Sequence, residues 1–382
     1  MIGRVANKLN EIRQARARKH RYGAAFDPGA AERLLLVTLP ERIPGSQIFP
    51  FHFYAGDLRA AYGADVSELH LEDFLSGARK VTGASVVAFQ TGFDLDEDLR
   101  DRILARIRET SPDARVVYLD WFAPTDLRFA AMLGAHVDLY VKKHLLRDRS
   151  HYGQETFGDT NLMDYYGRRA GLDHEPVRFA IPEGFFDKLM VGPSFATADF
   201  ILPTLDRATL PAGDRPIDLH ARIAVGGTPW YQFMRGECDA AARALKQGPE
   251  GLNVVTGTGI RHDQFLAELR SSKVCFSAFG YGEVCWRDYE AIQNGAVLLK
   301  QDMSHMETRP DVFVPGETYV PVRWDLADFE DKVRALVADP KRCAEIARNA
   351  LDVLTDYARN GGFVKQMAPL FGGSRETRGK TG

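Results

Sequence analysis

The stretch from Lys273 to Asp302, KVCFSAFGYGEVCWRDYEAIQNGAVLLKQD, constrains the fold more than any other part of the chain. Lys273 to Phe279 is an apolar run of strand length, and Gly280-Tyr281-Gly282 breaks it. From Glu283 to Gln293, Val284, Tyr289, Ala291 and Ile292 recur at helical spacing. Asn294-Gly295 ends the helix, and Ala296 to Leu299 begins another buried strand. Such a strand–loop–helix–strand unit leaves backbone N–H groups and the positive end of a helix dipole facing whatever lies above the loop, a setting for a phosphate. Arg287 and Glu290 are three residues apart and share one helix face. The arginine can pair with a phosphate, and the carboxylate can accept hydrogen bonds from ribose hydroxyls. The plain alternative is an ordinary strand–helix–strand unit with an Arg–Glu surface pair.

The rest of the chain repeats this rhythm. Arg33–Leu39 reads as a first buried strand, followed by a loop with Pro44-Gly45-Ser46 and an aromatic stretch, Phe49–Tyr54, that carries His52. Val66–Leu71, Ala84–Gln90, Ala114–Asp120 and His136–Val141 read as further strands, with an amphipathic helix from Asp96 to Thr110. Alternating strands and helices predict a parallel, doubly wound sheet, whose ligands bind beyond the carboxyl ends of the strands. Asp120 stands at such an end. It is the first candidate for a general base and His52 the second, against the reading of a satisfied capping carboxylate and a core aromatic stretch.

Lys142–Gly171 has no strong period and reads as a loop that could fold over an acceptor, with Asp159, Asn161, Asp164, Tyr165 and Tyr166. A second sheet begins at Ile217–Val225, and a helix follows from about Trp230 to Lys246. Leu252–Thr256 is its next strand, and Gly257-Thr258-Gly259 allows close approach of a nucleotide base. Met303–Thr308 reads as a helical turn and Lys341–Tyr357 as the last long helix. The fold class expected is α/β, with two doubly wound, Rossmann-like parallel sheets facing across a cleft. The expected divisions are a basic segment 1–22, a first domain 23–200, a second domain 201–340, a terminal helix 341–371 and a disordered tail 372–382.

The length suffices for two cores. A hydrophobic content of 45% with 26% charged residues is that of a globular protein, and the net charge of −3 argues against a nucleic-acid partner. Cys238, Cys275, Cys285 and Cys343 show no metal-ligand spacing and read as buried thiols. Asp94-x-Asp96 lies in a loop and not at a strand end, so no obligatory metal is expected. No apolar run reaches membrane-spanning length, and a cytoplasmic location is expected. Residues 1–22 set seven Arg and Lys against Glu11, with Val5, Leu9 and Ile12 at helical spacing. Such a helix can lie on an anionic membrane surface, although a solvated leader has the same composition.

The pattern Gly280-x-Gly282-Glu283…Arg287-x-x-Glu290-Ala291-x-x-x-Gly295-Ala296-Val297-Leu298 resembles the donor-binding segment of glycosyltransferases of the GT-B fold with a group-1 type C-terminal domain. The resemblance spans Ile217 to Tyr357. It implies that Glu290 holds the ribose of a nucleotide sugar and that the amides of the Gly280–Gly282 loop meet the diphosphate. By position it makes Arg222 a phosphate contact and Arg235 a weaker one, and it sends the terminal helices back across the cleft. Many retaining members carry two glutamates seven residues apart. Here Gly282 stands at the first position and Glu283 one place later.

The donor-side set is therefore Arg222, Gly257, Gly280, Gly282, Glu283, Arg287 and Glu290. The implied activity is metal-independent sugar transfer from a nucleotide sugar to a glycan or lipid-linked acceptor. A nucleotide-sugar epimerase or hydrolase, or a catalytically silent binding module, are the alternatives.

Overall fold

The structure, a computed structural model, describes residues 16–195, 198–199, 201–205, 209–211, 213–247 and 251–371. The first fifteen residues of the basic segment and the tail from 372 lie outside the described residues. The described end of that segment, residues 16–21, is helical. It is fastened to the first domain by Arg18, whose guanidinium donates to both oxygens of buried Glu68 at 2.8 and 2.6 Å.

The first domain is built on six parallel strands: β1 (Glu32–Thr38), β2 (Ala64–His70), β3 (Val86–Phe89), β4 (Arg115–Asp120), β5 (Leu139–Lys142) and β6 (Leu189–Val191). Their order is β2-β1-β3-β4-β5-β6. The second domain has five parallel strands: β7 (Ile217–His220), β8 (Val254–Val255), β9 (Ser272–Phe276), β10 (Val297–Gln301) and β11 (Val320–Val322). Their order is β8-β7-β9-β10-β11. In both sheets the second strand lies outside the first and the rest run the other way. Each sheet thus has a switch point beside its first strand, between β1 and β3 and between β7 and β9, where such sheets form ligand crevices. The strands are buried on both faces, which is why they read as unbroken apolar runs such as LLLV and VVAF.

The helices that matter to the site are α1 (Arg42–Phe53), α2 (Glu97–Thr110), α3 (Asn161–Arg169), α4 (Pro229–Gln247), α5 (His262–Arg270), α6 (Trp286–Gln293) and α7 (Pro340–Arg359). Three local expectations are corrected. Pro44-Gly45-Ser46 lies inside α1 rather than in a loop, since a proline is tolerated in the first helical turn. The polar stretch before Gly171 contains α3, started by Thr160, whose side chain accepts from the Met163 amide. Met303–Thr308 is not a helical turn. Met306–Glu307 pairs antiparallel with Leu145–Leu146 of the first domain, so tertiary pairing overrides local preference.

That two-stranded ribbon joins the two domains, and so do the elements after α7. After α7, begun at Asp339, whose carboxylate accepts from the Arg342 amide, Phe363 stacks on Tyr54 and meets Phe51 edge-on. The Tyr54 hydroxyl donates to the Ala358 carbonyl at 3.0 Å and the Tyr62 hydroxyl to the Val364 carbonyl at 2.9 Å. Among the described residues, no helix is long and apolar enough to cross a membrane.

Candidate functional site

The second domain's switch point lies between the loops that leave β7 and β9. Arg235, on α4 and nearly buried, joins them by donating to the Ala224 and Phe279 carbonyls, both at 2.6 Å. Its guanidinium is consumed by backbone, so its expected phosphate contact is corrected to a structural one. Tyr281 stacks on Tyr231 at 4.3 Å and its hydroxyl receives the Thr228 amide, so aromatic contact also binds the two loops together.

Helix α6 starts at Trp286, three residues later than the sequence pattern predicts. Its N-terminus is closed by Cys285 and Asp288, the Asp288 carboxylate accepting from the Cys285 amide at 2.9 Å. Fully buried Asp288 in turn takes Ser277 Oγ at 2.5 Å and Lys300 Nζ at 3.0 Å, which makes a neutral, rigid base under the loop.

Arg287 sits in the first turn of α6. Its Nε is buried and has no hydrogen-bond partner, and its guanidinium lies 6.0 Å from the centre of the Phe265 ring. A desolvated, unpaired donor on a fixed cation is unstable without a ligand to meet it. Arg222, by contrast, makes a bidentate pair with Glu268 at 2.6 and 2.9 Å and donates to the Thr256 carbonyl at 2.8 Å. Its charge is already compensated. Gly257 follows in a left-handed conformation, φ +86°, next to Arg222. Glu290 is almost wholly buried and pairs with His262 Nε2 at 2.7 Å. Burial raises its pKa, opposed by the His262 hydrogen bond.

Gly282 and Glu283 face the other domain, not a phosphate. A β-carbon at Gly282 would run into the carbonyl of Ala123, in the loop after β4. Glu283 is fully buried and accepts from Thr125 Oγ1 at 2.7 Å and Asn161 Nδ2 at 2.6 Å, both from the first domain, and meets His305 Nε2 at 3.3 Å. Burial would raise its carboxyl. The hydrogen bonds from His305 and Asn161 and the charges of His305 and His144 outweigh this and bring it to about 2. Glu283 is therefore an interdomain clamp. Gly280 keeps the loop tight by donating its amide N–H to the Gly282 carbonyl at 3.0 Å.

Both proton-acceptor candidates are corrected. Asp120 is fully buried and spends its carboxylate on the Phe122 amide, the Tyr140 hydroxyl at 2.7 Å and Lys142 Nζ at 3.0 Å. His52 is buried and bonded to Glu68 at 2.8 Å, within a network that includes Arg18 and Thr38. Burial pushes its pKa down. Neither lines the cavity described next.

A cavity of about 430 Å³ lies on the other flank of the Glu283 clamp, beyond the carboxyl ends of β4, β5, β10 and β11. Thr125, Asn161, Asp302, His305 and Trp324 are in its wall. Of the polar loop flagged in the sequence, Asp159, Asn161 and Asp164 are there too. Asp302, His305 and Trp324 escaped sequence reading, although each follows a strand of the second sheet by a few residues, where polar working groups belong.

Large apolar side chains are exposed at both switch points: Ile43 and Phe93 on the first domain, Val225, Tyr281 and Trp286 on the second.

Residues 206–360 match the family model described as glycosyl transferase-like. No curated protein matches the chain. Among solved structures, an alpha-glucosyltransferase in complex with UDP-glucose and DNA containing an abasic site superposes with a TM-score of 0.51 at 10% identity, over 88% of this chain and 99% of that one. An alpha-glucosyltransferase with UDP and a 13-mer DNA containing a HMU base gives 0.52 at 9% identity, over 89% and 99%. A third, with UDP, gives 0.51 at 9% identity, over 88% and 99%. At such identities the likeness is one of fold. The exclusion of nucleic acid drawn from net charge is nevertheless overturned, because proteins of this architecture are seen holding DNA. Whole-chain charge does not describe a local surface. The second domain is thus similar to glycosyl transferase-like proteins, and the two Rossmann-like sheets share the fold of the alpha-glucosyltransferases, the GT-B arrangement expected from the sequence.

Proposed function

We propose that the protein transfers a sugar from a nucleotide sugar to an acceptor hydroxyl without an obligatory metal, with the leaving diphosphate received at the switch point between β7 and β9. The observation that carries this reading is the buried, unpaired Nε of Arg287 at the start of α6. As the glycosidic bond breaks, negative charge grows on the diphosphate. A fixed guanidinium and a helix N-terminus, worth about half a positive charge, are suited to receive it. Arg222 is the second cation, and its pairing with Glu268 keeps it beside Gly257 but lowers its weight relative to Arg287. Glu290, held by His262, is the group for the ribose hydroxyls.

The attacking hydroxyl bonds to the anomeric carbon, the carbon–oxygen bond to the diphosphate breaks, and the hydroxyl proton goes to a base. With Asp120 and His52 enclosed, that base belongs at the domain seam, where His305 is partly exposed and borders the cavity.

The test is incubation with a panel of nucleotide sugars, UDP-glucose included because a similar fold holds it, with EDTA or Mg²⁺. The acceptors are a glycan, a lipid-linked sugar and duplex DNA containing a HMU base. Nucleoside diphosphate released only with an acceptor supports transfer and names the acceptor class. Release or isomerisation without one supports the hydrolase or epimerase alternative. Binding without turnover supports a silent module, and strict dependence on a divalent ion rejects the metal-free arrangement.

A further inference from the structure

The cavity beside the Glu283 clamp has a composition unlike that of the switch point. Among the described residues its wall contains no lysine or arginine, and it contains Asp126, Asp159, Asp164 and Asp302. It therefore offers a diphosphate no fixed cation. A cation is not the natural occupant either. Asp126 is held by both arms of Arg128 at 2.7 Å, Asp159 lies 3.2 Å from the same arginine, and Asp164 pairs with Arg168. Asp302 receives the Ser304 amide and hydroxyl and the Tyr319 hydroxyl. Three of these carboxylates are paired with arginine and Asp302 is hydrogen-bonded, and all still have lone pairs to offer.

Beside Asp302 stands an immobilised indole. Trp324 donates its indole N–H to the Asp302 carbonyl at 2.9 Å and lies parallel to Tyr166. Phe279 and His305 meet it edge-on. Paired or hydrogen-bonded carboxylates, amide and hydroxyl groups around a rigid indole, in a space within the usual range of small-ligand sites, suit a neutral ring that carries many hydroxyls.

We propose that this cavity, into whose wall His305 is built, is a subsite for one neutral pyranose unit, read jointly by the two domains and distinct from the place of the nucleotide between β7 and β9. Thr125, Asn161 and His305 line the cavity and also hold Glu283, which is one residue beyond the Gly280–Gly282 loop. Occupancy of the subsite is thereby tied to the donor loop. Such a tie must be reciprocal: nucleotide and pyranose strengthen each other by the same factor. Only this coupling rests on the nucleotide-sugar reading, and the binding itself does not.

Ligand-observed NMR and calorimetry on the full chain test it, with methyl glucoside, methyl galactoside, methyl mannoside and N-acetylglucosamine as pyranose probes. Putrescine is the cation probe and UDP the nucleotide. At least one pyranoside is expected to bind saturably, and to bind at least tenfold more weakly to Asp302→Ala. Ser304→Trp, a change at an exposed position that projects bulk into the cavity, should do the same while keeping the melting temperature. UDP should tighten pyranoside binding about fivefold or more, and Glu283→Gln should bring that factor to one.

UDP binding without any pyranoside binding overturns this inference and leaves the donor site standing. Pyranoside binding without UDP binding does the reverse. A preference for putrescine over every pyranoside overturns it in favour of a cation site.

Discussion

The two sheets share one strand order, yet their carboxyl edges treat charge in opposite ways. In the first domain Glu68 is closed upon Arg18 and His52, and Asp120 upon Lys142 and Tyr140. In the second, Arg287 is left with an unpaired buried donor beside a groove. The difference teaches that a polar residue at a strand end is only a position. It becomes a working group when its own neighbours leave it incomplete.

Substitution at Asp120 offers the largest effect. Asp120→Ala strands buried Lys142 and should destabilise the fold by about 3–5 kcal/mol, while turnover per folded molecule stays near that of the parent. Denaturant unfolding and active-site titration check both halves. A stable variant with abolished turnover would return Asp120 to the chemistry and collapse the contrast.

Arg287→Ala should behave in the opposite sense. Turnover should fall about a hundredfold or more with little change in melting temperature. Arg287→Lys should recover part of it, since the charge survives but the fork does not. A variant that unfolds instead would make Arg287 as structural as Asp120.

Glu290→Gln sharpens the second domain's side. Charge-assisted hydrogen bonds to hydroxyls contribute about 1.5–3 kcal/mol, so nucleotide binding should weaken roughly tenfold or more in a folded protein. Unchanged affinity by calorimetry would detach Glu290 from the ribose and leave its bond to His262 as its whole role.

The smallest effect is one of pH. Glu283 titrates at about 2 in the folded protein against an ordinary 4.5. A depressed carboxylate contributes stability that is complete above its unfolded value and disappears as the pH falls through the folded one. The seam should therefore loosen between about pH 4.5 and 2, seen as earlier loss of hydrogen-exchange protection around Asn161 and Ala123 than in the cores of the sheets. In Glu283→Gln that difference should vanish.

The architecture was legible because parallel strands covered on both sides must be apolar throughout, and because Asp96 and Asn294-Gly295 punctuate helices in the ordinary way. The second domain's glycine loop and Arg–Glu helix were legible for the same local reasons. What was not legible was who meets whom. Arg222 and Arg287 look alike in sequence, but Glu268, 46 positions from Arg222, neutralises one and not the other. Gly282 looks like a phosphate-loop glycine, and its reason is the Ala123 carbonyl in another domain. His305 and Trp324 sit in stretches with no motif, and they gain meaning only when two sheet edges are brought together.

The aromatic seal at the chain's end bears on the order in which the protein can be made. Phe363 fills the space between Phe51 and Tyr54, and the Tyr54 hydroxyl reaches a carbonyl 304 positions downstream. A ribosome delivers the first domain long before the residues that finish its surface. During that interval Phe51, Tyr54 and Tyr62 have no cover, and the first domain must wait, sticky on one side, for a plug encoded after the whole of the second. Completion of the first domain thus waits until the whole of the second has been made, and a nascent chain stalled before Phe363 is a better client for a holdase than one stalled after it.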